Sequence, residues 1–313
     1  MSAPGTKAAV SIVMPLYNKA EQVLSTIASV VAQTVSDWEL VVVDDGSTDQ
    51  GPDLVRALND ERIRLVTQAN AGVSAARNKG IEHARADLIA FLDADDLWLP
   101  EFLASVLALQ ADFPEARWFA TGYEIRPAHG TAFASRLRGV SSNFMRGILT
   151  NYFCIASVSD PPVWTSATAV KRDAIQSLGG FPVGIGSGED LLTWARLAVC
   201  YPLAYEAKAQ AVFVVSGIER RPDALDRVGS ALTVLMQEHP GTSGLTDYLG
   251  LWYRMQAVMA MRFNDAALAR QRAWLAVRYG PSHLRNVYTL LLAWLPAPLR
   301  TALDSRARKL LKK

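Results

Sequence analysis

The sequence predicts an α/β fold in which helices flank a mostly parallel β-sheet, followed by a helical C-terminal extension. Apolar strand-like runs and helix-like stretches alternate four times in about the first hundred residues. The strand-like runs are continuously apolar, which is typical of parallel strands that are buried on both faces. From about Asp223 the pattern is helical to the end of the chain. We therefore expect a sheet-based domain over residues 8–235 and a helical extension over 236–313.

The first half of that domain, residues 8–110, holds the clearest alternation. Its expected strands are short and mostly apolar; they cover residues 9–14, 40–43, 63–67 and 88–92. Helices with apolar residues at helical spacing are expected after each strand: to about Gln33, after Asp49, over 73–84 and after Pro100. Asp49 is suited to cap the second of these helices, and Pro100 is suited to the first turn of the fourth.

The second half, residues 111–235, is less regular. Strands are expected over 118–125, 163–170 and 211–215, and helices over 172–178 and 190–200. Residues 127–150 are polar and support no assignment. The helical extension is interrupted by glycine and proline near Gly241–Gly244, at Gly280-Pro281 and at Pro296 and Pro298.

Composition narrows the class of protein. With 313 residues, 50% of them hydrophobic and 20% charged, the chain can bury a substantial core as one large domain with an extension. A net charge of +2 is too small to indicate nucleic acid as a partner. Two cysteines without metal-type spacing and a start that does not resemble a signal peptide predict a cytoplasmic protein.

The charge is unevenly distributed. From Arg300 onward, six basic residues and one acid give a tail of +5, which leaves −3 for the rest of a chain whose net charge is +2. A basic tail on a mildly acidic body favours an anionic surface as partner, while the alternative is a solvated terminus. Residues 287–299 are almost wholly apolar, yet thirteen helical residues reach only about 20 Å. This segment is too short to span a bilayer, so it suits either an interfacial membrane anchor or packing on the catalytic domain.

Carboxylates follow two of the expected strands. Asp44 and Asp45 end the second, and Asp93 and Asp95 end the fourth, at the sheet edge where open α/β folds bind ligands. Mg²⁺ and Mn²⁺ prefer oxygen ligands and often share them with a substrate diphosphate. Taken alone, however, an Asp-x-Asp pair is also typical of an acidic helix cap.

Two further groups are ambiguous by themselves. The block Asp44–Asp49 is compatible with ordinary turn chemistry. Gly188-Glu189-Asp190 precedes a helix, so its carboxylates could be a cap favoured by the helix dipole or a general base. A nicotinamide enzyme is poorly supported, because Gly184-x-Gly186-x-Gly188 lacks the spacing and context of a dinucleotide fingerprint.

In combination these motifs resemble those of the family 2 glycosyltransferases, which have the GT-A fold and invert the anomeric centre. The matching segments follow the family's order over roughly residues 9–215: Ser11–Asn18, Asp44–Asp49, Asn70–Gly80, Phe91–Asp96, Gly179–Phe181, Gly188–Asp190 and Arg196-Leu197. Each is weak alone, but the ordered set is specific. The resemblance implies an enzyme that transfers a sugar from a nucleotide diphosphate, with UDP expected, to an acceptor hydroxyl.

The resemblance also implies a role for each matching residue. The nucleotide pocket would contain Pro15, Tyr17, Asp44, Asp45, Arg77 and Asp93, with Asp45 at the uracil ring and Asp93 at the ribose. Asp95 would hold Mn²⁺ or Mg²⁺. Asp190 would be the catalytic base, with Glu189 as the second candidate. The expected acceptor is a glycan or a lipid-linked sugar in cell-envelope or extracellular polysaccharide synthesis.

Two departures from the family pattern matter. The Gln-x-x-Arg-Trp signature of processive synthases is absent, which favours transfer of a single sugar. Residues 211–230 contain no histidine to complete a metal site. Arg220 and Arg221 lie in that stretch and are candidates for diphosphate contacts or simply surface charge.

Two other functions stay open. A sugar-nucleotide nucleotidyltransferase shares the layout, but it would need a Gly-rich basic loop where this chain has Pro15–Lys19. A catalytically inactive relative that only binds a partner is disfavoured by Asp45, Asp95 and Asp190. The C-terminus would place the enzyme peripherally on the inner face of the cell membrane.

Overall fold

The computed structural model of the chain describes residues 8–215, 222, 225–297 and 299–300. The strands in these residues are β1 (Val10–Leu16), β2 (Trp38–Asp44), β3 (Ile63–Thr67), β4 (Leu88–Phe91), β5 (Leu97–Trp98), β6 (Trp118–Arg126), β7 (Phe133–Ala134), β8 (Arg146–Ile148), β9 (Thr168–Lys171) and β10 (Leu203–Val214).

Helices cover much of the remainder. They are α1 (Val23–Val31), α2 (Gly51–Arg56), α3 (Val73–His83), α4 (Phe102–Asp112), α5 (Tyr152–Val158), α6 (Arg172–Ser177), α7 (Glu189–Cys200), α8 (Arg227–Glu238), α9 (Leu245–Arg262), α10 (Ala266–Tyr279) and α11 (Leu284–Trp294). A short 3₁₀ helix spans Thr165–Ala167.

The strands form one sheet in the order β3-β2-β1-β4-β9-β6-β10-β5, with β7 beside β6 and β8 beside β10. Strands β1 to β4 are mutually parallel, and β10 is parallel to β6. Strand β9 runs antiparallel between β4 and β6. The short strands β5, β7 and β8 also pair antiparallel, so the sheet is mixed. The predicted α/β fold with a helical C-terminal region is confirmed.

The parallel strands are buried on both faces, as their apolar sequences predict. Every residue of β2 and β4 is buried. On one face Val41 and Val43 pack with Ala76 of α3, while Val10, Ile12 and Met14 face the larger core cluster on the other. Gly80 allows α3 to approach β1, since a Cβ there would lie 2.3 Å from Val13 Cγ1.

One local expectation is wrong, and one unassigned stretch contains strands. Residues 163–170 are not one strand, because Thr165–Ala167 form the 3₁₀ turn and only the residues from Thr168 pair in the sheet. That turn places the Ser166 carbonyl to accept a hydrogen bond of 2.6 Å from Trp98 Nε1. The polar stretch 127–150, left unassigned, contains β7 and β8.

The described residues belong to two compact units with their boundary at 218/219. Helix α8 therefore lies in the second unit, whereas the sequence placed the end of the first domain near 235. The physical reason is that α8 packs with α9 through a buried polar centre. Asp226 caps α8 and accepts hydrogen bonds from Trp252 Nε1 at 2.9 Å and from Arg272 at 2.6 Å.

Candidate active site

Loops after β1 and β2 meet at the carboxyl edge of the parallel strands. Asn18, in the left-handed region at φ +52°, follows β1 and accepts a hydrogen bond of 2.8 Å from the Thr48 amide. The backbone amide of Asn18 donates a hydrogen bond to Ser47 Oγ at 3.1 Å. Because β1 has β2 on one side and β4 on the other, the strand order reverses here, which is where open α/β sheets bind ligands.

Asp45 organises the loop that leads into α3. Its carboxylate is 3% exposed and accepts three hydrogen bonds of 2.8–2.9 Å, from the Gln68 side chain and the amides of Ala71 and Gly72. Asp44, also buried, accepts one from the Ser47 amide at 2.9 Å. Both carboxylates thus hold the loops at this edge of the sheet through hydrogen bonds within the chain.

Replacing Asp45 with alanine should lower the free energy of unfolding by about 2–4 kcal/mol, because three donors lose a charged acceptor. Chemical denaturation measures this loss. Asp53→Ala is the matched control, since its pair with Arg56 is exposed and should contribute under about 1 kcal/mol. Equal stability of the two variants would show that the Asp45 contacts do not hold the loop.

The three carboxylates after β4 have different surroundings. Asp93 accepts from Arg77 at 2.7 Å, and Asp95 pairs with the Lys19 ammonium at 2.5 Å. Asp96 is buried and accepts from Trp164 Nε1, Ser166 Oγ and the Val214 amide at 2.6–2.9 Å. Burial and the nearby Asp93 charge raise the pKa of Asp96 to about 7. The side chains of Asp93 and Asp95 are 25% and 21% exposed, so both are accessible to a ligand, whereas Asp96 is buried.

Arg77 connects the β4 edge to the start of α7. Its side chain is only 3% exposed, and its guanidinium donates to Asp93 at 2.7 Å and to Glu189 at 3.1 Å. Burial alone would lower the pKa of Arg77, but the two carboxylates raise it above its usual value. Arg77 is therefore a permanent cation that holds two acidic groups, far apart in sequence, in one place.

The neighbouring Asn78 fixes the loop that carries α7 into the site. Its side chain accepts from the Phe181 amide at 2.7 Å and donates to the Phe181 carbonyl at 2.8 Å. Gly180 has φ +75°, and a Cβ there would lie 2.4 Å from Asn78 Oδ1. The Arg-Asn pair of α3 thus positions the Gly-Gly-Phe turn and α7 together.

Asp190 lies in the first turn of α7, next to Glu189. Burial, followed by the Glu189 charge, raises its pKa to about 7, although the Arg77 guanidinium acts in the opposite direction. Its Oδ1 accepts from the Leu191 amide at 2.8 Å. A carboxylate with a pKa near neutral pH is suited to accept a proton in a reaction at that pH.

The residues present fit a divalent cation only in part. No group of three His, Cys, Asp or Glu side chains that could hold a metal occurs in the portion of the chain that the structure describes. Asp95 offers one carboxylate, and Mg²⁺ is commonly held by one or two carboxylates plus substrate phosphates. The donor set therefore fits a cation whose shell is completed by a bound diphosphate.

The structure brings together most of the residues that the sequence singled out. Pro15 is the penultimate residue of β1, and Tyr17 follows the strand, 48% exposed at the same edge. Arg220 and Arg221 lie outside the described residues. Sequence reasoning missed Lys19 and the buried Asp96. Lys19 could have been found, because it follows the first strand and so reaches the same edge as the second and fourth.

The fold and the site together define an α/β protein whose sheet edge carries accessible carboxylates. Arg77 links this edge, through Asp93, to Glu189 at the start of α7. Residues 11–147 match the model of glycosyl transferase family 2. The predicted resemblance to the family 2 glycosyltransferases is thereby confirmed over this stretch of the chain.

Similar proteins extend this picture. WfgD of Escherichia coli, a UDP-Glc:alpha-D-GlcNAc-diphosphoundecaprenol beta-1,3-glucosyltransferase, is 41% identical over 101 residues, which are 32% of this chain and 40% of WfgD. The chain spans about 30% of the length of the first curated relatives it matches.

Two solved structures share the fold. TarS 1–349 of S. aureus, in complex with UDP-GlcNAc, has a TM-score of 0.62 and 16% identity, covering 91% of this chain and 90% of that one. The mannosyltransferase PcManGT of Pyrobaculum calidifontis, in complex with GDP-Man and Mn²⁺, has a TM-score of 0.58 and 23% identity, covering 96% and 89%.

Proposed function

We propose that this protein is an inverting glycosyltransferase that moves one sugar from a nucleotide diphosphate to an acceptor hydroxyl. The observation that supports this proposal most directly is that Arg77 forms ion pairs with both Asp93 and Glu189. It joins the edge expected to hold the donor to the helix that bears the proposed base, Asp190. A donor and an acceptor held at these two places would react as an oriented pair.

UDP is the proposed nucleotide. WfgD uses a UDP-sugar and TarS was solved with one, whereas PcManGT was solved with GDP-mannose. The WfgD acceptor is a sugar on a lipid diphosphate, which supports a lipid-linked or glycan acceptor in polysaccharide synthesis here. In this proposal Asp44 and Asp45 shape the base pocket and Asp93 reaches the ribose.

The chain's own residues would supply binding and proton transfer. Asp190, in its ionised form, would accept the acceptor's proton as the hydroxyl attacks the anomeric carbon and the bond to the diphosphate breaks. Lys19 lies beside Asp95 and could offset negative charge on the diphosphate. A divalent cation held by Asp95 would stabilise charge on the departing diphosphate when bound.

A panel of nucleotide sugars tests the function. UDP-, GDP- and dTDP-sugars should each be added with Mn²⁺, and we expect UDP-sugars to raise the melting temperature most. A hundredfold excess over the dissociation constant would contribute about 2.7 kcal/mol. Slow release of UDP from the best donor should accompany binding, because water can replace the acceptor.

The same assay separates the alternatives. A nucleotidyltransferase would bind a nucleoside triphosphate and release pyrophosphate, and that result would contradict the proposal. Binding without any release of UDP, with or without candidate acceptors, would indicate the inactive relative. The end of β1 and the residues after it already disfavour a nucleotidyltransferase, since they read Pro15-Leu16-Tyr17-Asn18-Lys19 and contain no glycine.

A further inference from the structure

Helix α11 presents apolar side chains to solvent along one face. The exposed residues recur every three or four positions and are Leu284, Val287, Tyr288, Leu291 and Trp294. The opposite face is buried within the second unit, where Leu290, Leu292 and Leu295 pack in a small cluster. Leu291 and Trp294, by contrast, are 63% and 64% exposed. Packing thus accounts for only one side of this apolar segment.

Helix α10 continues the same surface with tryptophan and arginine. The Arg270 guanidinium lies 4.6 Å from the Trp294 ring centroid, so these side chains of two helices share a face. Trp274 and Arg278 follow Arg270 at intervals of four, which places them on the same side of α10. Trp274 is 53% exposed, and the Arg278 guanidinium lies 5.5 Å from its ring.

We call this surface the Trp–Arg face. It is defined by Arg270, Trp274 and Arg278 of α10 with Leu284, Val287, Tyr288, Leu291 and Trp294 of α11. Aromatic rings with an apolar body, and arginines whose stems are apolar and whose heads are charged, are both suited to a boundary between water and lipid.

The charged residues of α10 and α11 have a single sign. No acidic residue occurs between Asp265 and Asp304, while that interval contains five arginines. Arg270, Arg278 and Arg285 are exposed among them. The partner must therefore tolerate or supply negative charge. A two-fold contact with a second copy would bring these arginines against each other, which disfavours that occupant.

We propose that the Trp–Arg face docks the protein on an anionic phospholipid surface. No described helix is long and apolar enough to cross a bilayer. The eleven residues of α11 extend about 16 Å. The helix would lie in the plane of the interface, with Leu291 and the two tryptophans at the acyl boundary and the arginines at lipid phosphates. This inference is independent of the proposed function, because vesicle binding needs no nucleotide sugar.

Flotation with vesicles of phosphatidylglycerol and phosphatidylcholine tests the proposal on the full chain. We expect binding at about 0.05 M salt and loss at about 1 M, where the screening length falls to ~3 Å. Leu291→Gln with Trp294→Gln should reduce the partition coefficient by about tenfold or more. Arg270→Gln with Arg278→Gln should reduce it by about 25-fold at low salt, since each cation contributes about fivefold.

Matched controls isolate the face from general effects. Val234→Gln replaces an apolar side chain that is 49% exposed on α8, and Arg138→Gln removes an exposed charge from the other unit. Both should bind as the wild type does, and all variants should melt at wild-type temperature because the changed side chains are exposed. Truncation after Arg300 should weaken binding without abolishing it.

Several outcomes would overturn the proposal. One is failure of the full chain to float with the vesicles at low salt. Another is binding by the double variant Leu291→Gln with Trp294→Gln that equals wild-type binding. A third is complete loss of vesicle binding on truncation after Arg300. Sedimentation that reveals a dimer abolished by the Leu291 and Trp294 changes would assign the face to a second copy instead. Equal binding to vesicles of phosphatidylcholine alone would remove the role of the arginines.

Discussion

Changing Asp190 to asparagine should lower turnover by about 10²-fold or more while leaving donor binding unchanged. The expected scale is that of losing a general base, because an amide cannot accept the acceptor's proton. In the wild type, turnover should rise with pH and level off above about 7, since only ionised Asp190 accepts a proton and its pKa is about 7. The variant should lack this titration. Initial rates across pH measure both effects.

The same variant should be more stable than the wild type at pH 8. The pKa of Asp190 is raised in the folded state, so the native protein favours the protonated form. Its contribution to stability is therefore fully present below about pH 4 and is lost as pH rises through about 7. Asparagine is neutral throughout, so we expect a gain on the order of 1–3 kcal/mol at pH 8 and none at pH 4.

Glu189→Gln is the comparison for both measurements. Glu189 pairs with Arg77, so this change removes one of two carboxylates around a buried cation. Near-normal turnover in Asp190→Asn together with a large loss in Glu189→Gln would transfer the role of base to Glu189. A wild-type rate that is flat between pH 6 and 8 would contradict a base with this pKa.

Changing Asp95 to alanine should abolish sugar transfer and remove the enhancement of UDP binding by Mn²⁺. The side chain lies at the ligand edge, and its pair with Lys19 is partly exposed, so the free energy of unfolding should change by about 1 kcal/mol or less. Calorimetric titration of UDP, with and without Mn²⁺, measures the enhancement directly.

Lys19→Met is the matched control, because it breaks the same ion pair and keeps the carboxylate. It should retain the Mn²⁺ enhancement, although UDP binding without metal should weaken if Lys19 faces the diphosphate. If the metal enhances UDP binding equally in Asp95→Ala and the wild type, Asp95 is not the cation's ligand.

The fold could be predicted largely because its parallel strands are continuously apolar. Residues 40–43 and 88–92 predict β2 and β4, which are buried throughout. The approximate ends of α3 and α7 were also predicted from spacing and turn residues. The later strands were harder to predict because β9 is short and antiparallel, and nothing in its four residues indicates that it lies between β4 and β6.

Some residues of the candidate site could likewise be predicted from the sequence, and others could not. Carboxylates after β2 and β4 were predicted to share an edge, since parallel neighbours end on the same side of a sheet. Asp96, in contrast, was identified only as the last residue of the Phe91–Asp96 motif, and no role was predicted for it. Its burial beneath Trp164 and Ser166 depends on a turn about seventy positions later in the chain.

The sequence by itself determined the α/β class, the family 2 motifs and the acidic edge, because these depend on local apolar runs and on short spacings along the chain. Only the tertiary structure decided that Arg77 would bridge Asp93 to Glu189, and that Asp45 would hold the loop before α3. It also separated the buried face of α11 from its exposed Trp294 face. Such pairings join groups that are distant in sequence, and they form only when packing brings those groups together and excludes water from between them.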